Sequence, residues 1–235
     1  MNQAMEYQAK IQSLFNEWKA KPEKNGIDHQ NSIFVRDGIV CPEQWYSQET
    51  RPMFLLKEAY GGNGDWDLIA DHLLTSGKMG RGTWRRVTEW TRGLLSTSSS
   101  YIEPYADDSA NCYGNQCLKK IAVVNVRKSG GTPSSNMECI NNYARTDASE
   151  LKCEIELIDP TVIVCGYTIS SLNIIMGHDI KNYGKTNSNL YYHMTLNKHD
   201  VIVLDYWHPS NHYPDIMNYY GLIGIYQQAL LQKGK

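Results

Sequence analysis

The stretch MFLLKEAYGGNGDW, residues 53–66, contains the features that decide the fold. Its apolar first half ends at the charged pair Lys57 and Glu58, and three glycines follow within four residues. An apolar run that opens into a glycine-rich loop is typical of a buried strand and the loop after its carboxyl end. Ligands of open α/β sheets bind at such strand ends, so Glu58 is a candidate catalytic carboxylate. The alternative is a solvated glutamate at an ordinary turn.

Three further apolar, β-branched runs predict the remaining core strands, at residues 121–124, 161–166 and 201–204. Helical patterns lie between and after them, at residues 68–74, 83–95, 141–157, 170–176 and 214–232. Strands that alternate with helices predict parallel pairing with right-handed crossovers. The expected fold class is therefore α/β, a three-layer sandwich with a central, mainly four-stranded parallel sheet flanked by helices.

The N-terminal fifth of the chain is predicted to pack on this sheet. Apolar residues at helical spacing indicate a helix over about residues 3–19. The pair Asp37 and Gly38, between two short apolar runs, predicts a hairpin over residues 33–40. A length of 235 residues suits one large α/β domain, so we expect a single domain over residues 1–235.

Composition narrows the classes of protein to consider. The chain has 41% hydrophobic and 20% charged residues and a net charge of −2, which argues against binding nucleic acid by bulk attraction. The one marked basic concentration, Lys78 to Arg92, is either a DNA contact or the solvated face of a helix. No apolar run approaches the roughly 20 residues of a membrane span, and the N-terminus is polar. We therefore expect a cytoplasmic monomer that does not contact membranes.

The six cysteines are scattered, and no two have Cys-x-x-Cys spacing. A metal or iron–sulfur cluster is the minor alternative, and it would use Cys112, Cys117, Cys139 and Cys153. The main expectation is that the protein binds no cofactor and no metal.

Three residues with useful chemistry follow the ends of predicted strands. Glu58, Asn125 and His208 each lie at or within a few residues of such an end. Because the carboxyl ends of parallel strands share one edge of a sheet, the topology brings a carboxylate, an amide and an imidazole together. These groups can orient water, read hydrogen-bonding edges and support a developing anion.

The motifs around these residues resemble those of the uracil-DNA glycosylase superfamily. They are LKEAYG at 56–61, VNVRK at 124–128, PTVIVCG at 160–166 and WHPSN at 207–211, in the family's order. The resemblance implies that Glu58 and His208 are catalytic and that Asn125 reads the base edge. It also implies that Tyr60 excludes a thymine methyl group and that Trp84 stacks on the flipped base.

The resemblance further implies DNA as the partner and two loops that hold it. The implied DNA-binding residues are Lys57, Arg127, Lys128 and Ser129 near the first two motifs, and Ser210, Asn211 and His212 in the last. His212 or Tyr213 would act as the wedge that enters the duplex.

The chain departs from the family pattern at the first motif. Lys57 stands where the iron–sulfur branch has glycine, and the motif's proline is absent. Ser129 stands where that branch has a cluster cysteine, so the resemblance implies no cluster. The expected function is a monofunctional DNA glycosylase that hydrolyses the N-glycosidic bond of uracil or a related damaged base flipped out of DNA. Two alternatives remain: a glycosylase that acts on hypermodified phage bases in defence, and a catalytically silent glycosylase fold that binds nucleic acid or a protein.

Overall fold

A computed structural model describes residues 2–74, 83–101, 116–180 and 190–232. These ranges contain a six-stranded sheet and a separate two-stranded sheet. The strands are β1 Val35–Arg36, β2 Gly38–Ile39, β3 Pro52–Glu58, β4 Trp66–Asp67, β5 Ala122–Arg127, β6 Val162–Gly166, β7 Tyr191–Leu196 and β8 His199–Tyr206. The order in the large sheet is β2-β5-β3-β6-β8-β7, and β1 pairs with β4 in the small one.

The four strands predicted from apolar runs are the central strands of the large sheet. β5, β3, β6 and β8 are adjacent and parallel, which confirms the mainly parallel α/β arrangement. Their carboxyl ends therefore lie along one side, which we call the carboxyl edge. The two outer strands, β2 and β7, run antiparallel to their neighbours. Strand β7 was not predicted, because YYHMTL lacks the continuous apolar run of a central strand.

Helices cover both faces of the large sheet. They are α1 Gln3–Lys19, α2 Pro42–Tyr46, α3 Thr83–Leu95, α4 Met137–Thr146, α5 Ala148–Ile158, α6 Ile169–Met176 and α7 Asp215–Gln232, with a π-helical segment at Leu68–Leu73. Helices α1, α4, α5 and α6 pack in one hydrophobic core, and α3 and α7 pack in a second core on the opposite face. Alternate residues of β3 enter different cores, Leu55 the first and Phe54 the second, because successive strand side chains point to opposite faces.

Two sequence predictions are wrong in this structure. Residues 33–40 do not form a hairpin, because β1 pairs with β4 and β2 pairs with β5. Asp37, which was expected at the hairpin turn, is 4% exposed. The single helix predicted over residues 141–157 is two helices that meet at Asp147. The predicted helices over residues 3–19, 83–95, 170–176 and 214–232 are confirmed within one residue at each end.

Two kinds of feature are absent from the described ranges. None of the described helices is long and apolar enough to cross a membrane. No group of three His, Cys, Asp or Glu side chains among the described residues is arranged to hold a metal ion. Cys112, one member of the alternative cluster, lies outside the described residues, whereas Cys117, Cys139 and Cys153 are free thiols.

Candidate functional site

Glu58 ends strand β3 at the carboxyl edge, where its side chain is only 3% exposed. Its Oε2 accepts a hydrogen bond from Nη1 of Arg127 at 2.9 Å, across the register pair that joins β3 to β5. The Arg127 guanidinium lies 5.4 Å from the centroid of the Tyr143 ring, a cation–π contact that limits its movement. Oε1 of Glu58 is buried and has no hydrogen-bond partner among the described residues. The carboxylate is thus held by one oxygen, and no donor from the described residues reaches the other.

The loop after β5 closes over Glu58 at Gly131. The Gly131 amide donates a hydrogen bond to the Ala59 carbonyl at 2.8 Å. A Cβ atom at Gly131 would lie 2.7 Å from that carbonyl oxygen and 2.9 Å from Cγ of Glu58. Only glycine fits this approach, so residue 131 determines how closely the loop covers the carboxylate.

His208 lies two residues beyond β8, and the structure indicates which ring nitrogen carries the proton. Nδ1 accepts a hydrogen bond from the Ser210 amide at 3.2 Å and lies 2.7 Å from the Ser210 hydroxyl. Burial, reinforced by the nearby positive charge of Lys57, lowers the pKa of His208 to about 4. At neutral pH the ring is therefore uncharged with its proton on Nε2. A neutral imidazole of this tautomer is a hydrogen-bond donor suited to a developing anion.

The loop that contains His208 is held from the helical side by Arg86 of α3. Arg86 is 6% exposed, and its Nη1 donates hydrogen bonds of 2.7 Å to the carbonyls of Pro209 and Asn211. Its Nε donates to Asp215 at 2.9 Å. Because a guanidinium is planar and carries five donors, one buried arginine can fix several turns of a loop. In the sequence, Arg86 is only one member of the basic segment, whereas in the structure it fixes the loop that contains His208.

Asn125 belongs to a buried polar network below the edge. Its backbone amide and its Nδ2 both donate to Oδ2 of Asp37, at 2.8 and 3.0 Å. The other Asp37 oxygen accepts a hydrogen bond from the ammonium of Lys128, which also lies 2.8 Å from a Glu154 oxygen. Burial alone lowers the pKa of Lys128, but its two carboxylate partners raise it overall, and burial raises the pKa of Glu154 well above its usual range. Asn125 is 1% exposed, so its side chain is not accessible to a base in this structure, although the resemblance implies that it reads the base edge.

Three of the predicted DNA-binding residues are buried or hydrogen-bonded within the protein, which corrects their predicted role. Lys128 is 0% exposed and lies between two carboxylates, so it does not present a charge to a phosphate. Ser129 is 4% exposed and accepts a hydrogen bond from the Tyr143 hydroxyl. The Asn211 amide donates to the His208 carbonyl and to Asn218, so this side chain braces its own loop. Ser210 and His212 are exposed.

The predicted stacking residue Trp84 and the described arginines of the basic segment are buried or half-buried. Trp84 is half-buried, and its ring centroid lies 6.2 Å from that of His72. In the basic segment, Arg85 and Arg86 both pair with Asp215, whereas Lys78 and Arg81 lie outside the described residues. Arg85 and Arg86 therefore form ion pairs within the protein.

Aromatic side chains stand exposed at the ends of three adjacent strands. Tyr60 follows β3 and is 68% exposed, Tyr167 follows β6 and is 54% exposed, and Trp207 follows β8 and is 46% exposed. Tyr167 and Trp207 were not singled out from the sequence, although Tyr167 directly follows the predicted strand at 161–166 and Trp207 lies three residues beyond the one at 201–204. The rule that ligands bind at strand ends would have found both.

Tyr167 has an unusual backbone conformation. Its φ is +63°, in the left-handed region that bulky side chains seldom adopt, at a cost of about 1–3 kcal/mol. Its amide donates to the Tyr206 carbonyl at 2.9 Å, which holds the residue against the end of β8. The Lys57 ammonium lies 5.0 Å from the centre of its ring. The surroundings therefore impose this conformation, and the ring remains in solvent.

The chain matches no known family model, no curated protein and no solved structure in comparisons with each of these groups. The arrangement must therefore be interpreted from its own chemistry. It combines a carboxylate held by arginine, a neutral imidazole donor and a set of exposed aromatic rings along one edge.

Proposed function

We propose that this protein hydrolyses the N-glycosidic bond of a deaminated or modified base held outside the DNA stack. The observation that supports the proposal is His208, a neutral imidazole with Nε2–H available at the same sheet edge as Glu58. Glu58 ends β3 and His208 follows β8, and only β6 lies between these two strands. Two strand spacings amount to roughly 10 Å, a span suited to a nucleoside lying between the carboxylate and the imidazole.

In this mechanism the C1′–N bond breaks, and its electron pair leaves with the base. His208 donates a hydrogen bond from Nε2 to the departing anionic base. A typical donor of this kind contributes about 3 kcal/mol in the transition state. Water adds its oxygen to C1′ and releases a proton to Glu58, whose Oε1 is the oxygen that lacks a partner among the described residues. Arg127 orients the carboxylate through its other oxygen.

The proposal is tested by incubating pure protein with oligonucleotides that carry uracil or another deaminated base, and by measuring strand cleavage after alkali. Glu58→Gln and His208→Gln should each lower turnover by about 100-fold or more, the usual effect of removing one catalytic group. His178→Gln, an exposed histidine just after the C-terminal end of α6, is the control. Absence of base release from single strands, duplexes and hypermodified phage DNA would reject this function.

A second function, nucleic-acid or protein binding without turnover, is favoured by a specific observation. The Glu58 side chain is 3% exposed and paired with Arg127, and Asn125 is committed to Asp37. Binding that persists in Glu58→Ala and His208→Ala, with no turnover by the unmodified protein, would support this alternative.

A further inference from the structure

The exposed rings at the carboxyl edge form a surface that the catalytic proposal does not use. In the β6–β8 pair Gly166 is in register with Tyr206, so the next residues, Tyr167 and Trp207, are neighbours at the edge. Trp207 in turn contacts Tyr213, at 5.4 Å between ring centroids. Tyr60, after the adjacent strand β3, lies on the same edge. We call Tyr60, Tyr167, Trp207 and Tyr213 the aromatic row.

The charges around this row limit the kind of nucleic acid that it suits. Arg127 is paired with Glu58, Arg86 with Asp215, and Lys128 is buried. Lys57 lies over the Tyr167 ring. Proteins that hold a duplex rely on many phosphate contacts from lysine and arginine, whereas Arg127, Arg86 and Lys128 already have partners inside the protein. The free chemistry of the edge is therefore mostly aromatic.

We propose that the aromatic row binds unpaired, single-stranded nucleic acid, whose bases stack on Tyr167 and Trp207 while Lys57 lies near a phosphate. Bases in a duplex stack on each other and hide their faces, whereas unpaired bases offer them to aromatic side chains. One side of the Tyr167 ring faces the Lys57 ammonium, and more than half of the residue remains exposed. The inference rests on the proposed function for the choice of nucleic acid as ligand, and it assigns single strands as the substrate class.

Binding can be measured without any glycosylase reaction. The probe is a fluorescently labelled oligothymidine that contains no uracil, alone or annealed to oligoadenine, with fluorescence anisotropy at low and moderate salt. We expect the single strand to bind at least tenfold more tightly than the duplex. Tyr167→Leu and Trp207→Leu should each weaken binding about tenfold, the order of one lost stacking contact, whereas Tyr167→Phe and Trp207→Phe should retain it.

A second variant and a second signal keep the test independent of folding. Tyr167→Gly removes the ring at a backbone position where glycine is unstrained, so weak binding by this well-folded variant can be assigned to the ring. Stacking on Trp207 should also quench tryptophan fluorescence. The other tryptophans are buried or half-buried: Trp18, Trp45, Trp66, Trp84 and Trp90. The quenching should vanish in Trp207→Leu.

The outcomes separate this inference from the proposed function. Equal or tighter binding of the duplex, or equal binding by the Leu and Phe variants, would overturn the proposed role of the aromatic row in binding single strands. This conclusion would hold even if the protein excises uracil. Selective binding of single strands without base release from any substrate would support single-strand binding by the aromatic row. The same result would reject the proposed glycosylase activity. If the row instead mediates self-association, light scattering will show a dimer that Tyr167→Leu abolishes, with no oligonucleotide bound, and the inference fails.

Discussion

At the scale of single residues, the charge state of each candidate group depends on what surrounds it. His208 is kept neutral by burial and by Lys57, and the Ser210 amide selects the tautomer. Lys128 keeps its charge in the interior because two carboxylates contact it. The same residue types would behave differently on an open loop, so their chemistry cannot be inferred from identity alone.

His208 should make stability depend on pH. Its pKa is about 4 in the folded protein and about 6.5 when unfolded, so the unfolded state binds more protons between these values. This contribution is fully present above pH 6.5 and is lost as the pH falls towards 4. Urea unfolding should show a loss of up to about 2 kcal/mol between pH 7 and pH 5 from this group. His208→Gln should lack that component, whereas His212→Gln should retain it; an identical pH dependence in both variants would contradict the assignment.

Lys128 should matter for folding and not for phosphate binding. Replacing it by methionine leaves Asp37 and Glu154 as two buried carboxylates without their cation. Removing one partner of a buried pair costs about 3–5 kcal/mol, so Lys128→Met should lower the urea midpoint markedly. Lys57→Met, at the edge, is the comparison. If Lys128→Met leaves stability unchanged but flattens the salt dependence of oligonucleotide binding, Lys128 would instead contact phosphate, as the resemblance implies.

At the scale of elements, two loops are held in place by contacts that span the molecule. Arg86 and Asn218 fix the loop after β8, and the close approach of Gly131 to Ala59 fixes the loop after β5. Loops that carry function on a rigid scaffold need such anchors. Arg86 of α3 lies far along the chain from His208, and Gly131 lies far from Glu58, so no local pattern marks these anchors.

Gly131→Ala should displace the loop that covers Glu58. The added Cβ would lie 2.7 Å from a backbone oxygen that cannot rotate away, so the loop must shift. We expect a Tm decrease of several degrees, typical of about 1–3 kcal/mol from overpacking, and altered exchange of the residue 58–60 amides. Gly130→Ala is a matched control, because its Cβ would meet Ile33 at an ordinary 3.5 Å. Equal Tm values for the two variants would contradict the close approach.

At the scale of the whole molecule, the N-terminal segment is part of the core that supports the edge. Tyr7, Ile11, Phe15 and Trp18 of α1 lie in the same hydrophobic cluster as β3 and β5. The ring centroids of Phe15 and Trp18 are each 5.5 Å from the Lys128 ammonium. Helix α1 therefore covers the buried network that holds Asn125.

Trp18→Ala should destabilise the whole protein. Trp18 is 0% exposed, and truncation of a buried tryptophan costs about 3–5 kcal/mol through lost packing and a cavity. Chemical unfolding followed by circular dichroism should give one transition at lower denaturant. Lys10→Ala removes only an exposed pair with Glu6 on the same helix and should change stability by less than about 1 kcal/mol. A Trp18→Ala variant that loses only a minor, separate transition would mean that α1 is not part of the main core.

The sequence by itself determined the central parallel sheet, most of the helices and the placement of Glu58 and His208 at one edge, whereas Asn125 lies inside β5, below that edge. Hydrophobic periodicity and strand ends are local signals, and parallel topology then constrains where strand ends meet. Only the tertiary structure decided which polar groups are open. Lys128 and Ser129 are buried, and Asn125 donates a hydrogen bond to Asp37. Asp37 therefore lies in a buried network and not at a hairpin turn, whereas Tyr167 and Trp207 are exposed. Burial and ion pairing depend on residues distant in the chain, such as Asp37 and Glu154, and no pattern within one segment encodes them.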